Sequence, residues 1–209
     1  MSGGPGTPDP GRFACENFDL ASLIMLAYDL PSYRLSAPSW MRDAKFDIVA
    51  NVPSGSTKEQ FRLMQQNQLA ERFQLKTHWE TKEMQVYVLA TAKRGPKLKE
   101  SAAASPMMSI GSTGGITQMM FKGSPVEQFA KQLSHVPGVD LPVLDKTGLT
   151  GNYDFELRLA RGPNGVAGPE GESVFTAIED QLGLKLEAQR APISILVVDK
   201  AEKTPQDWK

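Results

Sequence analysis

The sequence predicts an α+β fold made of two tandem βαββαββ units, each with two helices packed on small mixed sheets. Three observations lead there. Strand-like and helix-like segments recur in one order from Gly11 to Lys93 and again from Gly115 to Lys200. The spacing of matched positions drifts little: Leu20 lines up with Val126 at an offset of 106, Phe46 with Tyr153 at 107, and Phe73 with Leu182 at 109. Apolar residues at helical spacing alternate with short period-2 stretches rather than forming one long βα alternation, which favours helices on small sheets over a doubly wound layer. The expected organisation is a disordered Gly/Pro-rich leader over 1–10, a first unit over 11–100, a linker over 101–115, a second unit over 116–203 and a tail over 204–209.

In the first unit, Asn17 or Asp19 caps a helix whose stripe is Leu20, Leu23, Ile24 and Ala27, and Pro31 stops it. Tyr33 to Ala37 and Lys45 to Val52 read as strands around a turn marked by Pro38 and Arg42-Asp43. Thr57 with Gln60 forms a capping box for a helix carrying Phe61, Met64, Leu69 and Phe73. A hairpin follows: Leu75 to Trp79, a charged turn over Glu80 to Glu83, then Met84 to Ala92.

In the second unit, Ile116 to Phe121 reads as a short strand, and Ser124-Pro125-Val126-Glu127 as a helix start with a capping box and Pro in the first turn. Val126, Phe129, Ala130 and Leu133 face inward. Leu141 to Asp145 and Asn152 to Ala160 follow as strands, the second alternating Tyr153, Phe155, Leu157 and Leu159 with Asp154, Glu156 and Arg158. Arg161 to Gly171 is a Gly-rich loop. Ser173 caps the last helix, Gly183 ends it, and Ile193 to Val198 is apolar on both faces, as a central strand is.

Composition closes several classes. A net charge of -1 with scattered Lys and Arg does not suit a phosphate backbone, so no nucleic-acid partner is expected. No run of about 18 apolar residues is present, so no membrane span is expected. The single Cys15 excludes an internal disulfide and a cysteine-rich zinc site, and reads as a small packing residue. The N-terminal residues lack the charged-then-apolar pattern of a signal peptide.

Three stretches resemble a large, uncharacterised family of soil-bacterial proteins: Arg72-Phe73-Gln74-Leu75-Lys76-Thr77-His78-Trp79-Glu80-Thr81-Lys82-Glu83, Gly95-Pro96-Lys97-Leu98-Lys99, and Val143-Leu144-Asp145-Lys146-Thr147-Gly148-Leu149-Thr150-Gly151-Asn152-Tyr153-Asp154-Phe155. Phe175 to Asp199 looks like that family's last helix and hairpin. The resemblance covers about Gly11 to Lys203 and implies a secreted or periplasmic protein without a settled activity. Family members carry an extra strand ahead of the Gly-Arg-Phe start, which this chain is expected to lack. The element order of each half is also similar to the short N-terminal domain of secretins and TonB-dependent transporters, which implies a docking or signalling module.

Candidate chemistry is sparse. Lys76, His78 and Glu80 point to one face of a strand, where His78 could act as a base and Glu80 or Asp154 as orienter or metal ligand. With two histidines in all, a His-rich zinc site is excluded, whereas a divalent ion on His78, Glu80 and Asp154 or Asp47 is conceivable; no cofactor is predicted. The ordinary role for such a histidine is cross-strand polar pairing. Asp145, Thr147 and Gly148 follow an apolar strand, a context shared with phosphorylated aspartates, but no nucleotide-binding loop accompanies them, and a hydrogen-bonded turn is the expected role. His135 closes a helix, where an imidazolium complements the dipole. Tyr33, Trp40 and Trp79 are the aromatic candidates for lining a ligand cleft or partner contact.

The favoured expectation is an extracytoplasmic binding module for a peptide, protein domain or small-molecule ligand. The alternative is a small, metal-assisted or metal-free hydrolase of esters or lactones in a cleft between the halves. Depth separates them: converging polar groups in a cleft favour the enzyme, and open strand edges favour the module.

Overall fold

The computed structural model describes residues 1–103, 105–162, 165–167 and 173–206. Its elements are β1 (Ser2–Gly3), β2 (Arg12–Asp19), α1 (Leu20–Tyr28), β3 (Leu35–Ser36), β4 (Lys45–Asn51), α2 (Lys58–Phe73), β5 (Lys76–Thr91), β6 (Lys99–Glu100), β7 (Met107–Thr113), β8 (Ile116–Pro125), α3 (Val126–Leu133), β9 (Val143–Asp145), β10 (Asn152–Gly162), β11 (Gly165–Ala167), α4 (Val174–Leu182) and β12 (Leu184–Lys200). The class is α+β, with helices set on small sheets.

The chain divides into two compact units: unit 1, Met1–Lys82 with Pro192–Lys209, and unit 2, Glu83–Ala191. This division differs from the expected boundaries near residues 100 and 116, because it falls inside the two longest strands, β5 and β12.

In unit 1, β1, β2 and β4 form an antiparallel sheet. Asp19 caps α1, its Oδ1 accepting the Ser22 N–H at 2.7 Å, and Leu20, Leu23, Ile24 and Ala27 are buried. Thr57 and Gln60 make both bonds of a capping box at the start of α2. That helix buries only Leu69 and Phe73, leaving Leu63 and Met64 exposed. Leu69 and Phe73, with the α1 stripe and Phe13, Cys15, Met41, Leu196 and Val198, make one core. Burial pushes the Cys15 thiol above its ordinary value, and the nearby Asp47 charge adds to this.

In unit 2, β7, β8, β10 and β11 form an antiparallel sheet in the order β11-β10-β8-β7, with β6 on β10. Phe121 is fully buried, stacked on Phe155 at 4.7 Å and edge-on to Phe129 at 5.4 Å. Val126, Phe129, Ala130 and Leu133 of α3 and Val174, Ala177, Ile178 and Leu182 of α4 close this second core.

The remaining sheet runs β3-β12-β5-β9, so β12 and β5 are its inner strands. In unit 1, β3 pairs parallel with β12 through Leu35 and Leu196, and in unit 2, β9 pairs parallel with β5 through Val143 and Tyr87.

Several expectations are corrected. The hairpin read over Leu75 to Ala92 is one 16-residue strand, β5, and the hairpin read in Phe175 to Asp199 is one 17-residue strand, β12. The Glu80–Glu83 run lacks any residue suited to a positive-φ turn, and its charges sit in an exposed strand instead. Residues 101–115, read as a linker, contain β7, hydrogen-bonded to β8 from Met107 to Thr113. Residues 1–10, read as a disordered leader, form a turn in which the Gly4 N–H bonds the carbonyls of Asp9 and Arg12, and β1 supplies a strand ahead of Gly11-Arg12-Phe13 where none was expected. Tyr33 to Ala37 is mostly a 3₁₀ turn, Ser32–Arg34, with only Leu35–Ser36 in strand. The capping box read at Ser124 does not form: β8 continues to Pro125, and the Ser124 hydroxyl, fully buried, donates to the carbonyls of Met107 and Lys122. The loop read over Arg161 to Gly171 holds β11, and the rest of it beyond Gly162 lies outside the described residues. The tail over 204–209 is described to Gln206, whose N–H bonds the Arg72 carbonyl.

Candidate functional site

The strand β5 presents His78 toward Asp199 on β12, with Nδ1 2.8 Å from Oδ1. Because a carboxylate only accepts, Nδ1–H is the donor, and the neutral ring keeps its lone pair on Nε2. Both side chains are about half exposed, so water screens the pair. Glu80 lies on the same face but pairs with Lys82, at 3.6 Å. Asp199 was missed from the sequence; reading β5 and β12 as continuous antiparallel neighbours would have found it.

Asp154 belongs to unit 2, whereas His78 belongs to unit 1. Its Oδ1 accepts the Gly123 N–H at 2.8 Å, at a bulge where β8 slips against β10 between Tyr153 and Phe155. Gly123 has φ +56, and a Cβ there would press on Ala103. The Ser101 hydroxyl and the Gly123 N–H, with Lys122 and Lys99 nearby, hold the Asp154 carboxyl below the ordinary carboxylate value. An analogous bond ties unit 1: the Asn17 N–H donates to Asp47 Oδ1 at 2.7 Å, with Asn17 at φ 58 and the β2–β4 register slipping between Cys15 and Phe18. Among the described residues, no three His, Cys, Asp or Glu side chains are grouped so as to hold a metal ion.

Asp145 Oδ1 accepts from both the N–H and the hydroxyl of Thr147, at 2.9 and 2.7 Å, and the Thr147 hydroxyl accepts the Leu149 N–H, with Gly148 between at φ +73. His135 Nδ1 donates to the Lys131 carbonyl at the end of α3.

The aromatic candidates lie in unit 1. Tyr33 is half-buried in the 3₁₀ turn before β3. Trp79 is exposed, with the Arg34 guanidinium 5.6 Å from its ring, and Arg34 Nε donates to the Ser194 carbonyl. Trp40, half-buried, borders a shallow depression of ≈ 410 Å³ with residues between Ala201 and Gln206, under the Lys203 ammonium at 5.6 Å.

A different feature was missed. β7 stands at the end of its sheet with β8 as its one neighbour among the described residues, so its outer N–H and C=O groups face away from the ladder. Beside it lies a cavity of ≈ 330 Å³, floored by Met119 and Leu159 and walled by Ile110 and Ser112 of β7 and by His135 and Pro137 after α3. Ile110 is 54% exposed and Met107 63%. An edge strand beside an apolar cavity offers a ladder for an added strand and a socket for one of its side chains. The sequence signal was present in Met107, Met108 and Ile110, masked by the Ser and Gly between them.

No helix among the described residues is long and apolar enough to cross a membrane. No curated protein and no solved structure matches the chain significantly. Residues 21–201 match the family described as protein of unknown function DUF3738, and the chain therefore belongs to that uncharacterised family.

Proposed function

We propose that this chain is an extracytoplasmic interaction module, built from two copies of a secretin-like unit, which takes up an extended partner segment along β7. The observation that carries it is the seven-residue open edge of β7 beside the cavity walled by Ile110. Matched backbone devices support the duplication. The order β2-α1-β3-β4-α2-β5 repeats as β8-α3-β9-β10-α4-β12. The two bulges carry Asn17 tied to Asp47 and Gly123 tied to Asp154. The second helix of each copy ends on a left-handed residue, Gln74 or Gly183, 109 positions apart. After each long strand a Pro-containing turn returns to such a helix end: Lys97 N–H bonds the Leu182 carbonyl, and Gln206 N–H bonds the Arg72 carbonyl. Pro96 and Pro205 are again 109 apart. The extracytoplasmic placement rests on the family resemblance of the stretches from Arg72 and from Val143.

The test is selection of extended peptides of about ten residues displayed against the full chain, with affinities then measured by fluorescence anisotropy. Enriched peptides should alternate apolar residues and lose at least about tenfold in affinity on Ile110→Lys, a change of ~1.4 kcal/mol. Peptides that bind the variant equally well, or no enrichment, would overturn the reading.

The His78–Asp199 geometry favours a second reading, hydrolysis of an ester or lactone with His78 Nε2 as base and Asp199 as orienter. A p-nitrophenyl ester and an acyl lactone, assayed with and without chelator, test it. No turnover, or turnover unchanged in His78→Ala, removes it.

A further inference from the structure

Resting on the reading of β7 as a docking edge, we infer that its occupant is a second copy of this chain, paired β7 to β7 in an antiparallel ladder. β7 contrasts with the other strand edges. Natural sheets blunt their edges with short strands or charges. The outer strands β3 and β9 are only two and three residues long, and β4 carries Lys45 and Asp47. β7 has neither protection. It is seven residues long, and no charged side chain occurs from Ser101 to Phe121.

The strand is also self-complementary. A two-fold contact sets the same patch against itself, with residue i opposite j and j opposite i, so a charge near the axis would meet its own copy close by. Here nothing repels. With the axis at Ile110, Met108 lies opposite Ser112 of the second copy, Ser109 opposite Gly111, and Met107 opposite Thr113. Met107 and Met108 thus face the smaller Thr113 and Ser112, and Ile110 on the axis meets its own copy.

The cavity beside β7 points the same way. Met108, Ile110 and Ser112 share a sheet face with their β8 partners Phe121, Met119 and Thr117. Phe121 and Met119 are buried on that face, while Ile110 is 54% exposed at its margin. A second β7 sets another Ile110 beside the first and covers the cavity wall from the strand side.

The full chain tests this by sedimentation equilibrium. A reversible monomer–dimer equilibrium is expected, with Ile110→Lys monomeric while its melting curve stays that of the parent. Because a lysine could act through folding, cysteine cross-linking under mild oxidation supplies a second measurement. Cys15 is buried and leaves the background low. Ile110→Cys should give a disulfide-linked dimer at least about tenfold faster than Asn51→Cys on the exposed β4 edge, a difference in rate of one decade. A parent chain that stays monomeric to about 1 mM overturns the inference, that being the limit of weak affinity. So does a dimer retained by Ile110→Lys, or equal cross-linking at both cysteines. If the chain is monomeric yet selected peptides still depend on Ile110, the docking edge stands and only the choice of occupant falls. If it dimerises through β7 and no peptide competes, the self-pairing stands and the foreign-partner function falls.

Discussion

Gly183 is where the end of α4, the start of β12 and the turn after β5 come together, and Gly183→Ala should damage unit 2 more than its size suggests. The residue has φ +64, and its N–H bonds the Glu179 carbonyl. A left-handed alanine costs about 1–2 kcal/mol. An added Cβ also collides with the Gly95 carbonyl oxygen, which is backbone and cannot swing aside, and meets Lys97 N at 3.1 Å. Moving that turn loosens the Lys97 N–H bond to the Leu182 carbonyl, 2.8 Å, and the Lys97 ammonium bond to the Asp180 carbonyl. Backbone bonds contribute about 0.5–1.5 kcal/mol each. The total is about 2–4 kcal/mol, or roughly 5–15 °C in Tm for a chain of this size. The matched position gives the control: Gln74 already holds φ 51, so Gln74→Gly trades relief of about 1 kcal/mol against similar unfolded-state entropy and should stay within about 3 °C. Far-UV circular dichroism melts follow both variants. The tryptophans fall within the residue ranges of unit 1, so their fluorescence reports whether the loss stays in unit 2. A Gly183→Ala midpoint within about 2 °C of the parent would refute the steric argument.

Two further outcomes follow from the same cores and bulges. Because the folded Asp154 carboxyl is held below its ordinary value of 3.8, it adds stability above that pH, and this is lost as pH falls through the lower folded value. Urea midpoints of the parent and Asp154→Asn should therefore differ at pH 7 and converge in acid, once pH falls below the folded value of the carboxyl; a gap that widens in acid contradicts the bulge bond. Phe121→Ala, emptying a site between Phe129 and Phe155, should cost about 3–5 kcal/mol, and a urea-midpoint loss under about 1 kcal/mol would mean the ring stack is not a packed core.

The helices were legible because their signals are local. The Thr57–Gln60 box, the Leu20-Leu23-Ile24-Ala27 stripe and the stop at Gly183 lie within a few residues of what they control. The strands were less legible because pairing is not local. Glu80 to Glu83 looked like a turn by charge alone, yet a strand exposed on both faces tolerates the same residues. Ser124 looked like a cap because Glu127 follows it by three, but its hydroxyl was taken by carbonyls on β7 and β8. β7 itself was hidden by low apolar content, which an edge strand beside a half-open face does not need. Asp199 could not be assigned to His78 until β5 and β12 were continuous.

The chemistry left unspent by the scaffold narrows the choice between docking and catalysis. Asp47 and Asp154 each spend a carboxylate oxygen on a backbone N–H at a bulge, and the bonds to Asp154 also hold its carboxyl below the ordinary carboxylate value, which is the reverse of what a general base needs. Asp145 is likewise occupied by Thr147. That leaves the His78–Asp199 pair, correctly oriented but half exposed to water on a strand surface, where such pairs are worth about 0–1 kcal/mol and where water dilutes any field aimed at a reacting atom. The β7 edge has the opposite balance. Its outward N–H and C=O groups are already satisfied by water, so an incoming strand gains little from the hydrogen bonds alone; the net drive comes from covering Ile110 and Met107. Ile110, not the ladder, is therefore the position whose substitution decides the matter.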